Sequence, residues 1–225
     1  MQKLGNHNEE NNADIIVASV SAAQLFAAQD VTTDNDEVIT GQLNLPEYQR
    51  PYRWLTDDVK ALLNDISAYF ENCVNTEETD KPLLYMGSVV LHQVFDPVSE
   101  SYALNIIDGQ QRITTLSLIC MAIETKRSSN IFDLPDMEYA SPVSHERIAK
   151  NYQWLLRQIE VQDFSESVLK LDLSLINFTL VVTRSEDEAY RFFETQNTTK
   201  YCLWRLCWSD PPFTWLDEYN QQRRC

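Results

Sequence analysis

The sequence predicts an α/β domain in which a small mixed sheet is flanked by helices. Segments rich in Val, Ile, Leu and aromatic residues alternate with segments of helical periodicity. Between residues 102 and 124 the pattern changes from strand to turn to helix. The chain has 225 residues, 44% of them hydrophobic, which suffices for one sizeable core. We expect a flexible N-terminus over residues 1–14, a folded domain over 15–199 and an atypical tail over 200–225.

In the first half of the chain, Ser21 is the expected N-cap of a short helix, AAQLFAAQ, and the TTDNDE segment after it is an expected acidic loop. The alternating residues of ITGQLNLP predict a strand that turns at Pro46 and leads into YQRPYRW. Thr56, followed by two aspartates, begins an amphipathic helix that reaches Phe70.

The second half predicts a hairpin and three helices. The patterns indicate strands at 83–95 and 102–107, helices at 110–124 and 144–160, a buried strand at 176–182, and a helix at 186–197 that begins with a capping box at Ser185 and Glu188.

The charge of the chain limits the classes of partner. The sequence has 34 acidic and 18 basic residues, a formal net charge of −16. The electrostatic field of such a charge repels polyanions, so any contact with DNA must be local. For the same reason an anionic membrane is not an expected partner. No apolar run reaches the roughly 18 to 20 residues of a membrane helix, and the N-terminus lacks the layout of a signal peptide. We therefore expect a cytoplasmic protein.

The cysteines, histidines and glycines exclude several kinds of site. Five cysteines without the spacing of a disulfide framework indicate reduced thiols. Cys202 and Cys207 have neither a second pair nor a nearby histidine to complete a zinc site. The three histidines are scattered, which gives no support to a catalytic triad. None of the four glycines belongs to a Walker phosphate loop.

The strongest chemical signal is the segment LNIIDGQQRITTLSL, residues 104–118. A strand ends before Asp108, Gly109 makes a sharp turn, and the next helix presents free N–H groups and its positive dipole end. Gln110 and Gln111 can donate amide hydrogens, and Arg112 can bind phosphate with its guanidinium group. Asp108 could hold Mg²⁺ or orient a water. The alternative is structural: Asp108 caps the helix and Arg112 pairs with an acidic residue.

The second signal is the loop YQRPYRW, residues 48–54. Two arginines three positions apart, beside a glutamine and three aromatic residues, suit phosphate binding and base stacking. The alternative is an aromatic loop fastened to the core, with Arg50 and Arg53 in inert salt bridges.

Four segments together resemble a known family, the N-terminal domain of GmrSD-type restriction endonucleases, which has a ParB/sulfiredoxin-like fold. They are LPEYQRPYRW, YMGSVVL, IIDGQQRITTLSL and RFFETQNTT, in this order over roughly residues 20 to 199. The resemblance implies a domain that binds and hydrolyses a nucleoside triphosphate (NTP) in a bacterial modification-dependent restriction or phage-defence system. Its DGQQR motif would serve binding and hydrolysis, with Mg²⁺ accompanying the nucleotide.

These considerations give the candidate site. The candidate catalytic residues are Asp108, Gln110, Gln111 and Arg112, with Asp108 also the candidate metal ligand. The candidate nucleotide-binding residues are Tyr48, Gln49, Arg50, Arg53, Gly109, Thr114 and Asn197.

After Thr199 the sequence departs from the family. It lacks the Gly-containing turn, the further helical region and the His-Asn-His nuclease domain of many members, and it changes to Trp, Cys and Arg. One hypothesis is therefore a truncated or out-of-frame tail. We expect hydrolysis to gate a nuclease on a partner chain or in a missing domain. The alternatives are a non-catalytic ParB-like DNA-binding or regulatory module and an inactive fragment.

Overall fold

The computed structural model describes residues 15–73, 81–98, 100–160 and 166–198. The strands are β1 (Ile15–Ser21), β2 (Val31–Thr32), β3 (Val38–Ile39), β4 (Gln42–Asn44), β5 (Leu84–Asp96), β6 (Ser101–Asp108) and β7 (Ile176–Thr183). The helices are α1 (Ala22–Phe26), α2 (Thr56–Cys73), α3 (Gln110–Arg127), α4 (Pro142–Glu160), α5 (Glu166–Leu169) and α6 (Glu186–Thr198), with a 3-10 turn at Leu173–Leu175. The predicted flexible N-terminus and the predicted tail lie outside the described residues.

Five strands form a mixed sheet in the order β1-β7-β5-β6-β4. β7 pairs antiparallel with β1 and parallel with β5, while β6 pairs antiparallel with β5 and parallel with β4. β2 and β3 form a separate two-stranded sheet. The predicted fold class, a small mixed sheet flanked by helices, is confirmed.

The main core lies on one face of this sheet. Alternate residues of β7, such as Phe178 and Leu180, are buried there together with Ile16 of β1. α3 belongs to the same buried cluster and packs along α4. Helical periodicity predicted α3, but not how deeply it lies, since 11 of its first 14 residues are buried. This helix is enclosed, which explains its lack of a polar face.

The opposite face of the sheet is partly covered by α6. Ala189 and Phe192 pack against Val90 of β5 and Ile107 of β6. The Ser185 half of the predicted capping box is present, since the Ser185 hydroxyl accepts a hydrogen bond from the backbone N–H group of Glu188 at 3.4 Å. β7 ends opposite His92 of β5. α6 follows β7 in the chain, yet it contacts Val90, which comes earlier in β5, and Ile107 near the end of β6. α6 therefore runs back toward the carboxyl end of β6.

The N-terminal third differs most from the prediction. Strand β1 was not predicted. Its residues alternate between exposed and buried positions, but exposed residues such as Ile15 and Val17 are as apolar as the buried ones, so the sequence does not show the alternation. The predicted N-cap Ser21 of α1 is confirmed, and the structure adds a capping box in which Ser21 and Gln24 are bonded reciprocally. The acidic segment forms the turn of the β2–β3 hairpin rather than a loop. The single strand predicted over residues 39–45 is divided between β3 and β4, because Gly41 turns the backbone with a φ of +131°.

The later elements agree with the prediction to within a few residues. This holds for the β5–β6 hairpin, for β7 and for the helices α2, α3, α4 and α6. Within the described ranges, no helix combines the length and the apolar character needed to cross a membrane.

Candidate functional site

The topology brings the two predicted segments together. β4 and β6 pair in parallel, and the side chains of Asn44 and Asn105 join them by a hydrogen bond of 2.6 Å. The carboxyl ends of parallel strands lie at the same end of a sheet, so the loop after β4 and the turn after β6 become neighbours. The first of these contains residues 48–54, and the second contains Asp108 and Gly109.

Gly109 forms the sharp turn between β6 and α3. Its φ is +100°, and a Cβ atom there would lie 3.0 Å from Cγ2 of Val89. Gly109 is also the N-cap of α3, and no side chain caps this end. The part of the structural alternative in which Asp108 caps the helix is therefore wrong, whereas its other part, an ion pair of Arg112 with an acidic residue, is present. The uncapped start of α3 keeps backbone N–H groups and the positive end of the dipole at the turn.

Asp108 lies between two arginines from different segments. Its Oδ1 atom accepts a hydrogen bond from Nη2 of Arg50 at 3.2 Å, and its Oδ2 atom lies 3.8 Å from Nη2 of Arg112. The exposed side-chain fractions are 17% for Asp108, 26% for Arg112 and 38% for Arg50. One carboxylate thus faces two guanidinium groups in a partly buried position. We call these three residues the Arg-Asp-Arg cluster.

Arg112 is held by the backbone of β5 as well. Its Nη1 atom donates to the carbonyl of Met86 at 2.6 Å, and Nη2 donates to the carbonyl of Ser88 at 2.5 Å. Between these carbonyls lies Gly87, with a φ of +95° at an irregularity in the pairing of β5 and β7. A Cβ atom on Gly87 would lie 2.0 Å from Nη1 of Arg112. The absence of a side chain at this position leaves the space that the guanidinium group occupies.

Two glutamines fasten the arginine-bearing loop to the sheet and to α3. Nε2 of Gln49 donates to the carbonyls of Ile106 and Ile107 at 2.6 and 2.8 Å. Oε1 of Gln111 accepts hydrogen bonds from the backbone N–H groups of Arg53 at 2.8 Å and Trp54 at 3.1 Å. The two amide side chains are therefore engaged with backbone groups, and they set the position of the loop relative to Asp108.

Tyr52 anchors the same loop in the interior. The side chain is fully buried, and its hydroxyl group lies 2.8 Å from that of Thr115 and 3.1 Å from Nδ2 of Asn151. Its backbone N–H group donates to the hydroxyl of Ser144 at 2.9 Å. Burial raises the pKa of Tyr52, so the phenol stays protonated. This buried network supports the alternative of an aromatic loop fastened to the core, and the ion pair of Arg50 with Asp108 also fits that alternative.

The remaining predicted residues divide into exposed and buried ones. Tyr48 is 57% exposed, and its pKa is raised by partial burial and by the charge of Glu186. Arg53 is exposed, and the structure gives it no ion pair with another described residue. Thr114, in contrast, is buried and its hydroxyl group bonds that of Tyr139 at 2.7 Å.

Gln110 and Asn197 are the last two candidates. Gln110 is only 2% exposed, and its Oε1 atom has no hydrogen-bond partner among the described residues. A buried acceptor without a donor is costly and is often found where water or a ligand binds. Asn197 lies in α6, but its side chain is outside the described part of the structure.

The residues around Asp108 do not fit a magnesium ion held by the protein. The two oxygen atoms of this carboxylate face guanidinium groups, and a bound cation would have to displace them. In the described ranges, no group of three or more His, Cys, Asp and Glu side chains could hold a metal ion. Magnesium in nucleotide sites is commonly held by one or two carboxylates together with phosphate and water. The carboxylate of Asp108 is already paired with two arginines.

Sequence reasoning missed the partners of Arg112. They are main-chain carbonyls of β5. Every residue has such a carbonyl, so the residue type does not indicate which one accepts a hydrogen bond. One signal was present, because a glycine inside a strand pattern marks a bulge or a close approach of another group. Gly87, in YMGSVVL, is that glycine.

A comparison with protein families gives a match over most of this structure. The model of the GmrSD restriction endonuclease N-terminal domain matches residues 32–203, which is more than half of the chain. No curated protein matches the sequence. The matched range includes the loop of residues 48–54, the glycine of β5 and the start of α3, which are the parts that build the Arg-Asp-Arg cluster. The chain belongs to the family of GmrSD restriction endonuclease N-terminal domains.

Proposed function

We propose that this domain binds an NTP at the Arg-Asp-Arg cluster and hydrolyses its γ-phosphate. The cluster carries this proposal: two guanidinium groups lie at the uncapped N-terminus of an 18-residue helix. Guanidinium groups and helix N-termini both favour phosphate oxygens, and here they converge at one place.

The charge distribution supports a small anionic ligand. The whole chain has a net charge of −16, yet Arg50 and Arg112 both lie beside the one carboxylate of Asp108, which places two positive charges against a single negative one. A local positive charge within a negative field selects against a long polyanion, because every distant phosphate is repelled. A nucleotide concentrates its charge in one short phosphate chain and avoids this penalty.

Each residue has a distinct task in the proposed reaction. Arg112 is rigidly held and binds the phosphate chain, while Arg50, on the loop, closes on it from the other side. The oxygen atom of water attacks the γ-phosphorus, and the bond from that phosphorus to the β–γ bridging oxygen breaks. The nucleoside diphosphate leaves with the electron pair, and the water proton passes to the released phosphate. Oε1 of Gln110, an acceptor without a donor, would orient the water.

Membership of the restriction family suggests what the hydrolysis serves. We assign the domain to a modification-dependent restriction or phage-defence system, where nucleotide turnover gates a nuclease on another domain or chain. Contact with DNA would be confined to a local site because of the net charge.

Phosphate release and calorimetric titration test the proposal on the full chain. ATP, GTP, CTP and UTP are supplied to the wild type and to Arg50→Ala. Arg157→Ala, which removes an exposed arginine of α4, is the matched control. We expect at least one nucleotide to bind and to be hydrolysed, and Arg50→Ala to weaken binding by about tenfold or more, since a charged hydrogen bond contributes about 1.5–3 kcal/mol.

Three outcomes count against this proposal. Absence of binding for all four nucleotides refutes it. Binding without phosphate release supports the non-catalytic regulatory module instead. An equal loss of affinity in Arg157→Ala removes the loop from the site, because that variant changes only the overall charge.

A further inference from the structure

We infer that Asp108 is a positioning residue for the phosphate-binding arginines, and that the domain binds the phosphate chain without a protein ligand to magnesium. This inference rests on the proposed function and assigns a role within the same site.

The contacts of the carboxylate carry the inference. Oδ1 faces Arg50 at 3.2 Å and Oδ2 faces Arg112 at 3.8 Å, so each oxygen atom is directed at a different cation. Magnesium binds carboxylate oxygen at about 2.0–2.1 Å and demands near-octahedral geometry. An ion at that distance from either oxygen would lie beside a guanidinium group of like charge, in a position where the side chain is only 17% exposed.

The two arginines depend on Asp108 to different degrees. Arg112 keeps its place through the carbonyls of Met86 and Ser88 even without the carboxylate. Arg50 comes from a loop, and its guanidinium group bonds Oδ1 of Asp108. Asp108 therefore chiefly orients Arg50. An asparagine in its place retains an acceptor for Arg50, whereas an alanine does not.

The negative charge of Asp108 also has a cost for binding. The carboxylate lies between the two arginines that would bind phosphate. It therefore repels the phosphate while it orients the arginines that bind it. Removal of this charge with the acceptor retained should strengthen phosphate binding. A merely structural carboxylate predicts the opposite sign, because its loss can only disorder the site.

Calorimetric titration with inorganic triphosphate separates these roles. The full-length wild type, Asp108→Asn, Asp108→Ala and Glu100→Gln are each titrated in EDTA and in excess Mg²⁺, with melting temperatures recorded. Glu100→Gln is the matched control, since it removes one negative charge in the turn at the opposite end of β6.

We expect the wild type and Glu100→Gln to bind triphosphate in EDTA with equal affinity. Asp108→Asn should bind roughly three- to tenfold more tightly than the wild type in EDTA, because an unfavourable charge close to the ligand is gone. Asp108→Ala should bind more weakly than Asp108→Asn. The effect of Mg²⁺ on affinity should be the same in the wild type and in Asp108→Asn.

Four results would overturn the inference. Loss of the Mg²⁺ effect in Asp108→Asn would identify Asp108 as a metal ligand and leave the proposed function standing. Weaker binding by Asp108→Asn at an unchanged melting temperature would also contradict the inference alone. If both variants fail to fold, the wild type still decides, since triphosphate binding that disappears in EDTA contradicts binding of the phosphate chain by the arginines without magnesium. No triphosphate binding by the wild type under either condition refutes the inference and the proposed function together.

Discussion

Gly87→Ala is the substitution that most directly tests how Arg112 is held. The added Cβ atom would lie 2.0 Å from Nη1 of Arg112, far inside the contact distance. The guanidinium group is the flexible partner, so it would move. That movement breaks its hydrogen bonds to the carbonyls of Met86 and Ser88 and takes it away from Asp108.

Two terms give the magnitude. A residue with a side chain at a φ of +95° adopts a left-handed conformation, which costs about 1–2 kcal/mol. Loss of the charged hydrogen bonds to the carbonyls costs about 1.5–3 kcal/mol in total, a value kept low because Arg112 is 26% exposed and water replaces part of the interaction. Gly87→Ala should therefore lower the free energy of unfolding by roughly 2.5–5 kcal/mol.

Urea denaturation of four proteins separates the two terms: the wild type, Gly87→Ala, Arg112→Ala and the double variant. When Arg112 is already alanine, Gly87→Ala should cost only the backbone term of about 1–2 kcal/mol. The nucleotide affinity of Gly87→Ala should fall to that of Arg112→Ala. If Gly87→Ala costs the same with and without the arginine, the Cβ atom does not act through Arg112 and the reasoning is refuted.

Three further predictions concern the loop and its buried support. Gln111→Ala should lower the free energy of unfolding by about 1–3 kcal/mol and speed hydrogen exchange at the backbone amides of Arg53 and Trp54, which lose their acceptor; unchanged exchange at both amides would contradict this. Tyr52→Phe should lower the free energy of unfolding by about 1–2 kcal/mol in urea denaturation, because it removes a buried hydroxyl group that makes two hydrogen bonds. A change near zero would show that these hydrogen bonds contribute nothing to stability. Burial raises the pKa of Tyr139 from 10.0 to about 12, so the folded state retains the phenol proton more tightly than the unfolded state. The associated stability is complete below pH 10 and is lost as the pH rises to about 12, by up to about 3 kcal/mol. Tyr139→Phe should flatten this part of a stability profile measured by urea denaturation, and an unchanged slope would exclude this residue as the cause.

The site could be predicted from sequence to the extent that its signals are local. An Asp-Gly pair after an apolar strand and before a helix predicts a turn, and the residues of that turn predict an anion site at the start of the helix. That Arg50 and Asp108 meet follows from β4 and β6 lying in parallel, which no local pattern specifies. The hydrogen bonds of Gln49 and Gln111 to backbone groups could not be predicted either, because an amide side chain can bond a ligand or a backbone group equally well.

The fold shows the same division. Helices α2 and α4 have one apolar face and one polar face, so their periodicity predicts them to within two or three residues. β1 exposes apolar residues on its outer face, and β2 and β3 have two residues each, so periodicity cannot detect them. The position of β7 between β1 and β5 depends on pairing between distant segments, and the local sequence carries no record of it.

The central place of β7 has a consequence for how the chain reaches its native state. The β5–β6 hairpin and α3 are continuous in sequence and can form early, from contacts between near neighbours. β1 pairs with β7 so that Ile15 lies opposite Thr183, and this pairing must close almost the whole length of the domain. Chains dominated by such distant contacts fold slowly, and until β7 arrives β5 retains an open edge that can pair with another chain. During synthesis the ribosome must therefore deliver residue 183 before β1 has a partner, and through that interval the half-built sheet is the species most exposed to aggregation.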